Sequence, residues 1–215
     1  MRRKWWILIV LVALVGAAGF MARRGFDWPG SPWAGGTAIE TLNGVPVFDN
    51  GPLASVSHGR SEGPGGYAFG LKWQSDEFVR RYLLKARGHR MPDAGGTAES
   101  LFDTETPQGA LNERRGLLQY RQDGTDAPRP GDVIVFEDDA SAGHVAVIAA
   151  VGEDFVEVVQ QNARPARERL PLAQVEGGYR IGGSRSALGW LRVPTMQAQG
   201  GRGGRSAAAY PVGFM

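Results

Sequence analysis

The stretch Gly70-Leu-Lys-Trp-Gln-Ser75-Asp-Glu-Phe-Val-Arg-Arg-Tyr-Leu-Leu-Lys85 decides how the rest of the chain is read. Phe78, Val79, Tyr82 and Leu83 recur at helical spacing and form one apolar stripe. Asp76 and Glu77 fall in the first turn, and Arg80, Arg81 and Lys85 follow, an order that suits the helix dipole. The pattern predicts a helix over 75–85, with Ser75 as N-cap, its hydroxyl accepting from an orphan N–H.

Outward from this helix the pattern changes period. Pro128-Arg-Pro-Gly-Asp132 is a turn signal, and Val133–Phe136 after it reads as a short apolar strand. Gly143–Ala150 and Asp154–Gln160 read as two further strands joined at Gly152-Glu153, and Leu188–Val193 as a last one. In the central hairpin, His144 falls opposite Gln160, Gln161 or Asn162, depending on the loop. One helix followed by antiparallel strands is an α+β arrangement, the helix packed on the sheet.

The ends differ from the body. Residues 5–21 (WWILIVLVALVGAAGFM) carry no charge and are bracketed by Arg2, Arg3 and Lys4 before and Arg23 and Arg24 after. The segment reads as one transmembrane or signal segment over 1–24, at the short limit for a membrane span. Ala17-Ala18-Gly19 offers a cleavage site, whereas the trailing arginines favour an anchor. The heavier leading charge keeps the N-terminus cytoplasmic. The body is then expected outside the cytoplasm, membrane-anchored, or secreted if the signal is cleaved. Residues 25–40 read as a Gly/Pro/Trp linker, 41–194 as the domain, and 195–215 as a low-complexity tail.

Seven of the 24 basic residues sit in the two ends, where there is no acid, leaving 17 basic against 22 acidic residues in the body. A mildly acidic body argues against nucleic acid as a partner. The chain has no cysteine, which excludes disulfides, thiolate metal sites and a cysteine nucleophile. His58 and His89 have no metal-ligand spacing with His144 and read as surface residues, and no metal or cofactor is expected. Glu137-Asp138-Asp139 reads as a solvated turn, and Gly63-Pro-Gly-Gly66 as a flexible lead-in.

Taken together, Gly70-Leu-Lys-Trp-Gln-Ser75-Asp-Glu-Phe-Val-Arg-Arg81, Pro130-Gly-Asp132, Gly143-His144-Val-Ala-Val-Ile148, Gln160-Gln161-Asn162 and Leu188-Gly-Trp190 resemble the CHAP family of cysteine, histidine-dependent amidohydrolases/peptidases. The likeness is to the amidase domain of glutathionylspermidine synthetase/amidase. Asn43-Gly-Val-Pro-Val47 resembles the family's opening strand. The resemblance implies a papain-like fold with the nucleophile at the start of the central helix. It also implies amide cleavage in a peptide-like substrate, a cell-wall peptide or a glutathione conjugate. The family's catalytic positions fall on Ser75, His144 and Gln160, and its pocket on Trp73, Gln74 and Asn162, with Trp73 also readable as core.

Two of these positions depart from the family: Ser75 stands for its cysteine and Gln160 for its glutamate. Serine needs a base to remove its proton, and the imidazolium so formed needs a charge; replacing that carboxylate by an amide in a serine protease costs about 10⁴ in kcat. Neither Glu157, on the far face of its strand, nor Asp76 supplies a third member. The reading that follows is a degenerate amidase that binds a peptide or glutathione-like amide with little hydrolysis. The alternatives are a working amidase or peptidoglycan hydrolase that uses Ser75, a cysteine amidase whose nucleophile was changed to serine, and a partner-binding scaffold.

Overall fold

The computed structural model describes residues 36–52, 56–137 and 143–195. The 1–24 segment, most of the 25–40 linker and the tail from 196 lie outside the described residues. Among the described residues no helix is long and apolar enough to cross a membrane.

The chain opens with a hairpin of β1 (Ala38–Leu42) and β2 (Val45–Phe48). Asn43 and Gly44 form its turn, both with positive φ (48° and 78°), as a primed two-residue hairpin turn requires. β1 thus includes residues 38–40 of the stretch read as linker. A second hairpin pairs β3 (Arg60–Gly63) with β4 (Tyr67–Leu71), and Pro64–Gly66 between them forms a short 3-10 turn. The helix α1 follows over Ser75–Arg87.

The remaining strands are β5 (Leu111–Asn112), β6 (Leu117–Arg121), β7 (Val133–Phe136), β8 (His144–Val151), β9 (Phe155–Gln160), β10 (Arg167–Val175), β11 (Gly178–Ile181) and β12 (Ala187–Arg192). They form one antiparallel sheet in the order β11-β10-β9-β8-β7-β12-β6-β5. The α+β class holds. Strands β7, β8, β9 and β12 lie within a residue of the expected limits, while β3, β10 and β11 carry too many polar residues to be read from alternation. β5 has only two residues, and β4 and β6 also fall outside the sequence reading. β10 is the clearest case: Leu170 and Leu172 point inward, but Pro171 and the flanking charges break the apolar pattern.

Because side chains alternate, the sheet has two faces. Val133, Val135, Val145, Val147 and Val159 receive Phe78, Val79, Tyr82 and Leu83 of α1 in one cluster. Ile134, Phe136, Ala146, Ile148, Val158 and Trp190 build a second cluster on the other face. All of these side chains are buried, so each of the two faces is a core.

α1 runs two residues beyond its expected end. Gly88, in the left-handed conformation (φ 63°), closes it by donating its N–H to Leu83 O and Leu84 O. Its start differs too. Gln74, not Ser75, is the N-cap, and its side chain makes no capping bond.

Arg167 ties the opening hairpin to the sheet. Its guanidinium reaches Glu40 at 3.0 Å and Glu157 at 2.7 Å. Hydrogen bonding from Arg167 holds both carboxyls below the usual carboxylate range. Folded values below the unfolded ones stabilise the native state above the ordinary carboxylate range, and that share is lost as pH falls through the lowered values. Arg167→Ala is expected to cost about 1 kcal/mol or less at neutral pH, because the pairs are half open to solvent. It should also shallow the acid limb of a denaturant-midpoint profile; an unchanged limb would show the pairs contribute nothing.

Candidate active site

The site begins at the turn that feeds α1. Gln74 N–H donates to Leu71 O at 3.2 Å, and Trp73 between them adopts a left-handed conformation (φ 66°), unusual for a bulky residue. Packing holds it there, with the Trp73 ring 4.3 Å from His58 and 6.2 Å from Phe48. Gln74 is extended, and its carbonyl accepts the first helical bond from Phe78 N–H at 3.1 Å. Ser75 is thus the first residue of the helix proper. Its side chain stands at the positive end of the helix dipole rather than capping it.

Two consecutive residues just after β9, Gln161 and Asn162, position this turn. Gln161 is fully buried; its Nε2 donates to Gln74 O at 3.1 Å and to Glu77 Oε2 at 2.9 Å. Its Oε1 accepts from Phe48 N–H at 2.9 Å and Arg81 Nη2 at 3.2 Å. Arg81 completes the set with a two-pronged bond to Glu77, at 2.8 and 3.2 Å, and a third to Pro46 O at 2.7 Å. Asn162 Nδ2 donates to Gln74 Oε1 at 2.6 Å, and Asn162 Oδ1 accepts from Asn50 at 3.0 Å. The amides at 161 and 162 therefore grip the backbone and the side chain of Gln74.

Gln160 faces the other way. Its Nε2 donates to Pro165 O and to Glu168 Oε2, each at 3.0 Å. With both amide hydrogens committed, only Oε1 remains for His144 Nε2, at 2.9 Å. An acceptor at that distance places the ring proton on Nε2 and leaves Nδ1 as the basic nitrogen. The pairing is diagonal. The ladder sets Gln160 against Ala146, and His144, two residues earlier at the start of β8, reaches diagonally to it. Arg185 Nη1 also donates to Gln160 Oε1, at 3.3 Å.

Ser75 opens onto a cleft of about 480 Å³. Its walls come from Gln74, Ser75, Asp76 and Arg80 of the turn and helix, Arg60, Ala68, Gly70 and Leu71 of the second hairpin, the loop 94–98, and Gly143. Two glycines keep the walls close. A Cβ on Gly70 (φ 126°) would stand 2.9 Å from Arg80 Nη1, and one on Gly143 (φ 78°) would stand 2.7 Å from Glu99 N. Arg80 is buried and donates to Phe69 O at 2.9 Å and Asp76 Oδ2 at 2.6 Å, which fixes that wall. Gly143 is the residue before His144, so the cleft runs from Ser75 to the start of β8.

The structure thus joins His144 to Gln160 directly and sets Ser75 and Gln74 on one cleft wall. Trp73 and Asn162 do not line that cleft: Trp73 packs on His58 and Phe48, and Asn162 holds the Gln74 side chain. His58 is buried, not a surface residue, because Trp73 covers it and its Nε2 lies 3.3 Å from Asn50 O. His89 is half-buried, with Nε2 2.9 Å from Arg115 O. Glu157 and Asp76 are engaged by arginines. Glu168 escaped the sequence reading because β10 did, although its place two residues before the inward Leu170 marks it as facing the interior.

The structure thus has a helix start that carries a hydroxyl on the cleft wall, and an imidazole with a fixed tautomer held by an ordering amide, the residue before that imidazole lining the same cleft. Residues 66–162 match the CHAP domain. The matched segment spans β4, the second strand of the cleft hairpin, together with α1, β8 and the three amides. Residues of this chain are 34% identical over 98 positions to the trypanothione synthetase of Crithidia fasciculata, covering 44% of this chain and 15% of that protein. They are 26% identical over 183 positions to the glutathionylspermidine synthase of the same organism, covering 71% of this chain and 25% of that protein. The chain therefore spans a quarter or less of these relatives' length. The crystal structure of Ly7917 aligns with a TM-score of 0.34 and 17% identity over 65% of this chain and 58% of that one, too distant to carry an argument.

The CHAP segment's cleft wall depends on the buried ion pair. Removing one member of such a pair leaves an unpaired charge in the core, at about 3–5 kcal/mol. Arg81→Leu is expected to lower stability by that amount in denaturant unfolding. A loss under about 1 kcal/mol would show that Gln161 alone holds the helix start.

Proposed function

We propose that this CHAP amidase-like domain binds an amide of a peptide-like molecule in the Ser75 cleft and hydrolyses it slowly at best. The observation that carries the reading is the His144–Gln160 pair. Gln160 orients the imidazole but brings no charge of its own, and the group at the helix start is a hydroxyl. A thiol beside an imidazolium ionises in advance, whereas a hydroxyl loses its proton only as attack proceeds. The imidazolium formed at that moment then faces a neutral amide, the arrangement that weakens serine hydrolases.

A productive event would follow the course of a serine amidase. His144 Nδ1 takes the Ser75 proton, Ser75 Oγ bonds to the carbonyl carbon, and the oxyanion develops beside the free N–H groups of the first turn of α1. The amine leaves with the proton held by His144, and water then releases the acid from Ser75. The likeness to a glutathionylspermidine synthase and a trypanothione synthetase makes a glutathione–polyamine conjugate the amide to offer first, with cell-wall peptide as the second. Residues 5–21, between basic flanks, support a tether that holds the domain outside the cytoplasmic membrane.

The test compares the full chain with its Ser75→Cys form on glutathionylspermidine and on cell-wall peptide fragments, products read by mass. The cysteine form is expected to turn over at least about 10²-fold faster than the serine form, which should bind the same compound. Equal turnover would make this a serine amidase in full. No binding and no turnover by either form would leave the scaffold reading.

A further inference from the structure

The pair that limits the chemistry has a carboxylate directly behind it. Glu168 lies on β10 opposite Val158 of β9, on the face that carries Gln160, and its Oε2 accepts from Gln160 Nε2 at 3.0 Å. The same amide passes its oxygen to His144 Nε2 at 2.9 Å. The order is therefore carboxylate, amide, imidazole, with the amide dipole aligned along it. A negative charge on the N–H side of an amide raises the negative charge on its oxygen, because the two are conjugated.

We propose that Glu168 is a positioning residue for His144, acting through Gln160: its charge polarises the amide towards the ring and favours the imidazolium. This rests on the reading of His144 as the base of the Ser75 cleft. Pro165 O, an uncharged acceptor, already fixes which way the amide points, so the particular contribution of Glu168 is charge.

The charged groups around the pair set the sign. Arg185 donates to the same Gln160 oxygen at 3.3 Å and lies 5.9 Å over the Phe136 ring, which in turn stands 6.1 Å from the His144 ring. This cation disfavours a second positive charge on His144, and Glu168 offsets it. Arg167 and Arg169, either side of Glu168, turn to the opposite face and are occupied by Glu40 and Glu157. On the cleft side Glu99 packs against Gly143, and Asp76 is paired with Arg80.

The proposal makes Glu168→Gln informative, since an amide keeps the acceptor for Gln160 and removes only the charge. In the full chain carrying ¹⁵N-labelled histidine, the ring titration of His144 followed by NMR is expected to shift down by about half a pH unit in Glu168→Gln. The Nε2–H tautomer should stay as it is. Glu157→Gln, which removes a carboxylate from the opposite face, should leave the titration where it was. Arg185→Gln should move it upward, and Glu168→Gln added to Arg185→Gln should bring it down again, a second reading should the single variant fold poorly. An unmoved titration in Glu168→Gln, or a shift matched by Glu157→Gln, would overturn the proposal. These readouts need no turnover, so a chain inert towards every amide would sink the amidase reading and still decide the role of Glu168. If the Ser75→Cys form is active, Glu168→Gln in that background should lower kcat about threefold with KM unchanged.

Discussion

The buried contact among Glu77, Arg81 and Gln161 is the constraint from which the cleft follows. Each of these side chains is at least nine-tenths buried, so each must find its partners within the protein. The guanidinium does so by bonding to Glu77, Pro46 and Gln161 together, which brings β2, α1 and the end of β9 to one point. Gln161 then spends its remaining donor on Gln74 O, the residue that starts the helix. A hydrophobic contact here would bury as much area, yet it would leave rotation and sliding of α1 open. Directional bonds to three elements do not.

From that point the three amides at 160–162, where β9 ends, divide the work by side-chain direction. Successive residues on a strand point to opposite faces, so Gln160 and Gln161 cannot serve the same side of the sheet. Gln161 looks to α1 and Gln160 looks to His144. The helix start and the imidazole thus belong to opposite faces, and the Ser75 cleft reaches the start of β8 only at Gly143, where the loop 94–98 and the neighbouring Glu99 close in. The absence of a side chain at Gly143 is what allows the cleft to reach that end.

The tautomer of His144 shows how little of the chemistry lies in the two residues of a pair. Gln160 is symmetric enough in shape to present either its oxygen or its nitrogen to the ring. Pro165 and Glu168 remove the choice by taking both amide hydrogens. The imidazole proton is thereby placed from two residues away, and Nδ1 is left basic. Local order is the product, and it comes without a formal charge on the residue that touches the ring.

Much of this was legible in the sequence. The spacing of Phe78, Val79, Tyr82 and Leu83 determined the helix, because a 3.6-residue period allows one buried stripe. The continuous apolar runs at 133–136 and 144–151 determined the central strands, and the motif order pointed to the CHAP domain that residues 66–162 match. The order of charges, Glu77 before Arg81, hinted at an ion pair, but only as an exposed one four residues apart. Tertiary structure decided the rest. It buried that pair under Gln161, moved the helix cap from Ser75 to Gln74, covered His58 with Trp73, and set Glu168 behind Gln160. The physical reason is common to all four: each outcome depends on which groups from distant parts of the chain are available once water is excluded. Hydrogen-bond satisfaction in a closed interior is a property of neighbours, and periodicity along the chain carries no record of them.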